Sequence, residues 1–570
     1  MCEMRGSGKE ENAGSRKRGV LKFKRCEMKL MRNLLLIVAV FIGSYAFVHV
    51  PRTSRAFEIT KNLEIFTEVY KNLNQLYVED IDPATMMNIG MKAIMKSLDP
   101  YTTYYSESEI EDFRFMSQGQ YDGIGVRLDV VDDHITIMEP FEGGPAVAAG
   151  LRAGDRIISV DGIEVRGKSR EEVNDIMVGT GGSELVLGIQ RHGSEDVESI
   201  TVSKGEVNVK NVPYSGVIRD GYGYIALSTF TQNAGDNVRG ALLEMLNQEE
   251  DLKGLILDLR GNGGGLLGEA IKVANVFLPK DKVIVTTKGK SPEDDKSYRT
   301  RSDAVDEDLP LVVLIDGKSA SASEIVSGAI QDFDRGVLLG ERSYGKGLVQ
   351  VTRRLPYNSQ MKVTISKYYI PSGRCIQSVE YDDRGEPIMI ADSLRTVFHT
   401  SGGREVLDGG GVKPDIELTG ELNPDILQKL ENNHLIFKYA NDYYVKNESI
   451  PSLDEFDFTE YEDWENFLMA NHFDFYSEKQ EALNALVEKM GEDHAYTKEI
   501  QRIEKGLADE MKQSMEDHKD IILTKVGMEI ASRYELQRGR VLYSLQHDPQ
   551  ITRAIEIMKD TSEYQSILRP

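Results

Sequence analysis

The stretch Leu311-Val312-Val313-Leu314-Ile315-Asp316-Gly317-Lys318-Ser319-Ala320-Ser321-Ala322-Ser323-Glu324-Ile325 restricts the possible folds more than any other part of the chain. Leu311 to Ile315 is a short unbroken apolar run, which reads as a buried strand. Asp316-Gly317 turns it, four small residues follow, and Glu324, Ile325, Val326, Ala329 and Ile330 then recur at helical spacing. Ser321 with Glu324 three positions on fits a capping box, so Ser321 belongs at the mouth of the new helix. Two roles are open to it. One is an N-cap hydroxyl. The other is a nucleophile, because a helix start offers free backbone N–H groups to a developing oxyanion.

The same strand-then-helix order appears upstream. Tyr222 to Leu227 alternates like a strand, and Asn237 to Leu246 is an amphipathic helix. Gly254 to Arg260 is a buried strand that empties into Gly261-Asn262-Gly263-Gly264-Gly265. A helix carrying Ala270, Ile271, Val273, Ala274 and Val276 follows, and Val337 to Leu339 is one more short strand. Repetition of this order argues for an α/β layer. The glycine cluster has no GxGxxG spacing and no GK[ST] after it, so a nucleotide loop is a poor reading. Glycines at a strand end let backbone N–H groups approach a substrate carbonyl. An oxyanion hole shared between this loop and the Ala322 N–H fits better.

A serine nucleophile needs a proton acceptor. No histidine lies near Ser321, and His192 and His399 are distant in sequence. Gly345-Lys346-Gly347 is either a solvated turn or a buried base. As a base Lys346 must be neutral, which requires its pKa to fall from about 10.4 to near neutrality, about 4 kcal/mol of desolvation. A Ser-Lys pair is a recognised variant of the triad logic.

A chain of 570 residues is too long for one core, and three or four domains are expected. The net charge of −25 argues against general nucleic-acid binding. The three cysteines, two of them ahead of the first apolar segment, give no disulfide framework. Without CxxC or HExxH spacing, and with nine scattered histidines, neither a metal nor another cofactor is expected. Residues 1–32 form a basic lead with ten Lys or Arg against four Glu, and residues 33–50 carry no Lys, Arg, Asp or Glu. That length suits one transmembrane helix, with the N-terminus cytoplasmic and the rest of the chain in the periplasm or extracytoplasmic space. A cleaved signal peptide is the rival reading, and Met28 or Met31 is an alternative start.

Residues 51–118 read as a helical packing region, with Asp99-Pro100 as a stop. Residues 119–203 change character: two strands open it, and Gly144-Pro145-Ala146 and Gly154-Asp155-Arg156 loops and a helix from Ser169 to Val178 follow. This order resembles a PDZ domain. The resemblance implies that Gly123, Ile124, Gly125 and Val126 form the loop that cradles a peptide's terminal carboxylate, beside a strand edge that pairs with its backbone. Residues 421–570 are acidic and helical, with Trp464 a core residue, and suit a dimer contact, a shield over the cleft or an adaptor surface.

Several motifs then fall together. Asp-Leu-Arg-Gly-Asn-Gly-Gly-Gly at 258–265, Ser-Ala-Ser-Ala-Ser-Glu-Ile at 319–325, Tyr-Gly-Lys-Gly-Leu-Val-Gln at 344–350, Lys-Tyr-Tyr-Ile-Pro-Ser-Gly-Arg at 367–374 and Gly-Val-Lys-Pro-Asp at 411–415 resemble the carboxyl-terminal processing, or tail-specific, proteases. The likeness spans roughly residues 60–420. It implies that Ser321 is the nucleophile and Lys346, 25 residues on, the general base. It also implies that Gln350 orients the lysine, that Asp332 supports the site, and that N–H groups of Gly264 and Ala322 hold the oxyanion. The expected architecture is multidomain α/β, with a helical N-terminal region, a PDZ domain, an α/β protease core over 204–420 and a helical C-terminal region. The expected activity is hydrolysis of proteins presented by their free C-terminal tails, with the PDZ domain gating the cleft. A non-catalytic PDZ scaffold and a histidine-based hydrolase are the alternatives.

Overall fold

The computed structural model describes residues 55–106, 120–177, 181–208, 210–249, 251–377, 379–381, 387–389, 391–418, 425–453, 455–471, 478–490 and 496–569. The basic lead and the apolar segment 33–50 lie outside the described residues, and among those described no helix is long and apolar enough to cross a membrane. Residues up to Ile89 and residues from Gly90 onward form two compact units. In the first, α1 (Arg55–Leu76) displays Leu63, Phe66, Val69 and Leu73 on an exposed apolar face. Tyr70 Oη donates to Pro83 O at 2.6 Å, where α2 (Pro83–Lys96) begins. The helical expectation for residues 51–118 ends there, because Thr103–Tyr105 is a strand, β1. Its Thr-Tyr-Tyr sequence favours extended backbone, and it is captured by the protease core.

The PDZ domain opens with β2 (Gln120–Gly123), β3 (Val126–Val131), β4 (His134–Pro140) and α3 (Pro145–Ala148). It continues through β5 (Arg156–Val160), β6 (Ile163–Glu164), α4 (Arg170–Met177), β7 (Glu184–Gln190), β8 (Val197–Ser203) and β9 (Gly205–Asn208). Its sheet runs β3-β4-β5-β7-β8, with β6 on β5, around Leu128, Ile137, Ile157, Val173 and Leu187. β3 is therefore an edge strand, and α4 packs beside it. The domain reaches past 203, since β9 pairs with β2.

The α/β core carries β10 (Tyr214–Ile218), β11 (Tyr222–Ala226), α5 (Ala234–Gln248), β12 (Leu255–Asp258), α6 (Leu267–Phe277), β13 (Val283–Gly289) and β14 (Lys296–Arg299). After these come β15 (Leu311–Ile315), α7 (Ala322–Asp332), β16 (Val337–Gly340), β17 (Leu348–Arg354) and β18 (Gln360–Tyr369). Short strands β19 (Val379–Tyr381), β20 (Pro387–Met389), β21 (Val397–His399), β22 (Glu405–Leu407) and β23 (Ile416–Glu417) complete it. One sheet has the order β10-β11-β12-β15-β16-β23, parallel from β11 onward. Its inner strands are continuous apolar runs because both faces are covered. On one face Leu257, Val313 and Ile315 pack against α5, α6 and α7. A second, antiparallel sheet, β1-β18-β13-β14 with β17 on β18, leads out of the lysine segment.

The other face of the catalytic sheet is covered by the far end of the chain. Helices α8 (Asp425–Asn432), α9 (Leu435–Lys446), α10 (Tyr461–Ala470), α11 (Glu478–Met490), α12 (Thr497–Asp517) and α13 (Lys519–His547) precede it, and Trp464 is fully buried in their shared core. α13 breaks at Glu535 and Leu536, where Leu536 takes φ 50° and ψ −142°. Then α14 (Pro549–Lys559) and α15 (Thr561–Leu568) lay Ile551, Ile555, Met558 and Tyr564 against Ile256, Val312, Leu314 and Leu339. The helical region that begins near residue 421 thus reaches back to the parallel sheet: an unbroken apolar strand needs a cover on each side, and the last two helices supply the second one. The helical region also meets the PDZ domain, through Phe437 against Val131 and Met138 and through ion pairs Lys438–Asp132 at 2.7 Å and Arg540–Glu139 at 2.8 Å.

Candidate active site

The three serines of the Ser-Ala-Ser-Ala-Ser run face different fates. Ser319 is fully buried and its hydroxyl donates to Leu259 O at 2.8 Å. Ser323 is equally buried and donates to Asn262 O at 2.8 Å. Both hydroxyls stitch the serine turn to the strand end and glycine loop beside it. Ser321 lies between them, partly exposed, at the N-cap of α7. Its backbone takes φ 57° and ψ −110°, a conformation that costs a non-glycine residue about 1–3 kcal/mol and persists only where the surroundings enforce it.

Glu324 does much of that enforcing. Its carboxylate accepts from the Ser321 N–H at 2.7 Å, which is the reach-back half of the capping box. It also accepts from the N–H of Lys346 at 2.9 Å, the N–H of Gly345 at 2.6 Å and the Ser343 hydroxyl at 2.5 Å. One fully buried carboxylate therefore ties Ser321 to the lysine segment. Burial pushes its pKa up to about 7 in spite of these four donors. From the other side, the buried Tyr368 hydroxyl donates to the Ser321 carbonyl at 3.2 Å and contacts the Lys346 carbonyl. Sequence inspection found Glu324 only as a cap and missed Tyr368, which carries no local signal.

Lys346 is half-buried, and its surroundings favour the neutral amine. Burial pushes its pKa down to about 8, the nearby Lys362 ammonium adds to the fall, and Glu324 and Asp99 oppose it. Its Nζ rests over the Tyr101 ring, 4.4 Å from the centroid. Among the described residues no hydrogen bond joins it to Ser321 Oγ. Gln350 donates from its side-chain amide to Thr364 Oγ1 at 3.2 Å, and among the described residues no hydrogen bond joins it to Lys346.

Ala322 is the first residue of α7, so its N–H has no partner within the helix. Gly264 comes against the same point: a Cβ on it would stand 2.8 Å from Ser321 Cβ and 2.9 Å from Ala322 N. Its own N–H donates to Asn262 Oδ1 at 2.9 Å, so the structure brings Gly264 to the site as a close backbone approach while committing its donor elsewhere. The loop is pinned further by Gly261 N–H to the Asp316 carboxylate at 3.0 Å and by Ala320 N–H to Asn262 O at 3.0 Å.

Asp332 ends α7, eleven residues from Ser321 and so about 16 Å along the helix. It forms a buried ion pair with Arg374 at 2.9 Å and accepts from the Ser372 N–H at 2.9 Å, and together these anchor the 371–374 turn. His192 bonds Asp442 at 2.6 Å and His399 pairs in register with Glu405, so neither contacts Ser321. In the PDZ domain, Gly125 takes φ 80° and turns the chain between β2 and β3, with Ile124 O accepting from Ala146 N–H at 2.7 Å. Gly123 ends β2, Ile124 is buried in the domain core, and Val126 begins the edge strand β3.

Comparison with known proteins agrees with this layout. Residues 221–383 match the family model "Peptidase family S41", residues 123–203 match "PDZ domain", and residues 426–558 match "Probable PDZ-protease, C-terminal helical domain". The chain is 32% identical over 355 residues to a carboxy-terminal-processing protease of Bartonella bacilliformis, covering 61% of this chain and 81% of that one. It is 30% identical over 467 residues to a probable CtpA-like serine protease of Staphylococcus aureus, covering 78% and 91%. Among solved structures, a photosystem II D1 C-terminal processing protease is 26% identical, over 64% of this chain and 94% of that one, with a TM-score of 0.35. The PDZ domain of a carboxy-terminal protease from Vibrio cholerae, solved in complex with peptide, is 30% identical over 16% of this chain and 99% of that one, with a TM-score of 0.15. The non-catalytic scaffold finds no support among these relatives.

Proposed function

The chain belongs to the carboxy-terminal-processing proteases, serine-type peptidases of family S41, and from that premise we propose that Ser321 and Lys346 are its catalytic dyad. The observation that carries the reading is the shared grip on the two residues: Glu324 takes both of their N–H groups and Tyr368 faces both of their carbonyls. In this mechanism Lys346 swings from the Tyr101 ring toward Ser321 and accepts the hydroxyl proton as Ser321 Oγ attacks the substrate carbonyl. The oxyanion forms at the Ala322 N–H, with a second donor from the glycine loop. Collapse expels the amine, which takes the proton from Lys346 and leaves an acyl-enzyme. Lys346 then activates the water that hydrolyses it.

The substrate enters by its C-terminal tail. The tail's carboxylate sits in the Gly123–Val126 loop and its backbone adds to the free edge of β3, beside α4. The match of residues 123–203 to the PDZ family model supports this reading. The protein acts at the membrane, anchored by residues 33–50, with its catalytic part in the periplasm or extracytoplasmic space. The basic lead followed by the apolar run supports that placement.

Casein digestion by wild type, Ser321→Ala and Lys346→Ala tests the dyad, with both variants expected to be silent. Activity surviving Lys346→Ala would overturn the lysine base. Deleting residues 119–203 is expected to abolish discrimination between tailed and tailless substrates. Extraction of the full-length protein from membranes by alkaline carbonate would remove the anchor from the reading.

A further inference from the structure

The glycine loop begins at Arg260, and Arg260 is held by two parts of the chain nearly 300 residues apart. Locally it clasps Asp258 through Nε at 3.0 Å and Nη2 at 2.6 Å. Asp258 in turn accepts from the buried Tyr224 hydroxyl at 2.7 Å. The remaining Nη1 leaves the core and meets the C-terminal helices, at Asp548 Oδ2 (2.5 Å) and Gln550 Oε1 (3.0 Å). Burial opposes the charge of Arg260, but Asp258 and Asp548 together push its pKa well up. Asp548 is placed with care by the local sequence: it is the N-cap of α14, accepting from Gln550 N–H at 2.7 Å, and Pro549 follows at the first helical position.

We infer that Asp548 is a positioning residue for catalysis, reaching from the C-terminal helical region to fix Arg260 and, through it, the glycine loop that faces Ser321. The inference rests on the Ser321/Lys346 reading, and it assigns to residues 548–568 a part in the active site that neither a dimer contact nor a shield over the cleft would have. Three observations bear on it. The Arg260 backbone leads directly into Gly261, whose N–H is itself fixed on Asp316. Gly264 leaves no room for a side chain against Ser321 and Ala322, where an added Cβ would stand 2.8 Å from Ser321 Cβ and 2.9 Å from Ala322 N, so a small displacement of the loop is felt at Ser321. And α14 does not float: its apolar side is buried on the catalytic sheet, which gives Asp548 a rigid mount.

The test uses the full chain and a charge swap. Asp548→Asn keeps a good N-cap, because asparagine caps about as well as aspartate, while it removes the carboxylate from Arg260. Asp548→Asn/Gln550→Glu returns a carboxylate to the same guanidinium from a position where acidic residues suit a helix start. The readouts are kcat and KM on fluorescein-labelled casein, and the rate at which a fluorophosphonate probe labels Ser321. Asp548→Asn is expected to lower kcat and labelling by about tenfold with KM nearly unchanged. The double variant is expected to recover most of both. Wild-type kcat and labelling in Asp548→Asn, or a loss that the double variant fails to restore, overturns the inference. Ser321→Ala is run in parallel: cleavage or labelling by that variant sinks the dyad reading itself, whereas a silent Ser321→Ala beside a fully active Asp548→Asn sinks only the role of Asp548.

Discussion

Replacing Glu324 by glutamine keeps the shape of the side chain and removes one charge. The carboxylate accepts four donors, two on each oxygen: the N–H groups of Ser321 and Lys346 on one, the N–H of Gly345 and the Ser343 hydroxyl on the other. An amide offers one accepting oxygen. Whichever way it turns, at least one buried backbone N–H faces an NH2 group, at a cost of about 1–3 kcal/mol. If that cost appears in the geometry of the transition state, at 1.36 kcal/mol per tenfold, kcat falls about 5- to 150-fold. The pH profile adds a second readout. Lys346 works as a base only when neutral, so the rate rises with pH through its pKa of about 8. The Glu324 anion stabilises the ammonium and raises that pKa, so Glu324→Gln should move the acid limb to lower pH. Stability gives a third. A carboxyl lifted from 4.5 to about 7 in the folded state binds more protons there than in the unfolded chain. Wild type should therefore lose about 3 kcal/mol of stability as pH rises from 4.5 to 7, and the variant should lack that slope. Steady-state kinetics across pH and denaturant titrations at both ends of the window measure all three. A kcat within about twofold of wild type together with an unmoved acid limb would refute the reasoning.

Three further outcomes are expected. Gly264→Ala should cost more than about 100-fold in kcat, because the new Cβ would stand 2.7 Å from Ala320 O and 2.8 Å from Ser321 Cβ at a φ of 99° that alanine resists; kinetics with circular dichroism separate this from unfolding. Lys362→Gln removes a cation that lowers the Lys346 pKa, so the acid limb of the rate profile should move to higher pH, opposite in sign to Glu324→Gln. Asp332→Ala leaves Arg374 buried without its carboxylate and should destabilise the fold by about 3–5 kcal/mol in urea unfolding, a structural loss rather than a chemical one.

Much of the site was legible in the chain because its signals are local. Apolar runs that end in glycine or in small residues mark strands buried on both faces and the turns that leave them. A serine followed three residues later by glutamate marks a helix mouth. What stayed hidden depends on partners far away in sequence. Nothing near Gln350 announces that its amide donates to Thr364. Nothing near Asn262 shows that its side chain takes the Gly264 N–H, and nothing near Tyr368 shows that its hydroxyl lies against Ser321 and Lys346. The strand at Thr103–Tyr105, read as the end of a helical region, is decided by an open sheet edge at β18.

The residue pattern therefore determined the kinds of element and, through its motifs, the candidate pair Ser321 and Lys346, since periodicity, turn residues and motif spacing are properties of neighbours. Which of three serine hydroxyls stays free of a backbone carbonyl, how one buried carboxylate joins the Ser321 and Lys346 segments, and why the last two helices cover the parallel sheet were decided only when the chain closed on itself. The physical reason is the same in each case: a buried polar group must find its partner, and a two-faced apolar sheet its second cover, wherever in the chain these happen to be.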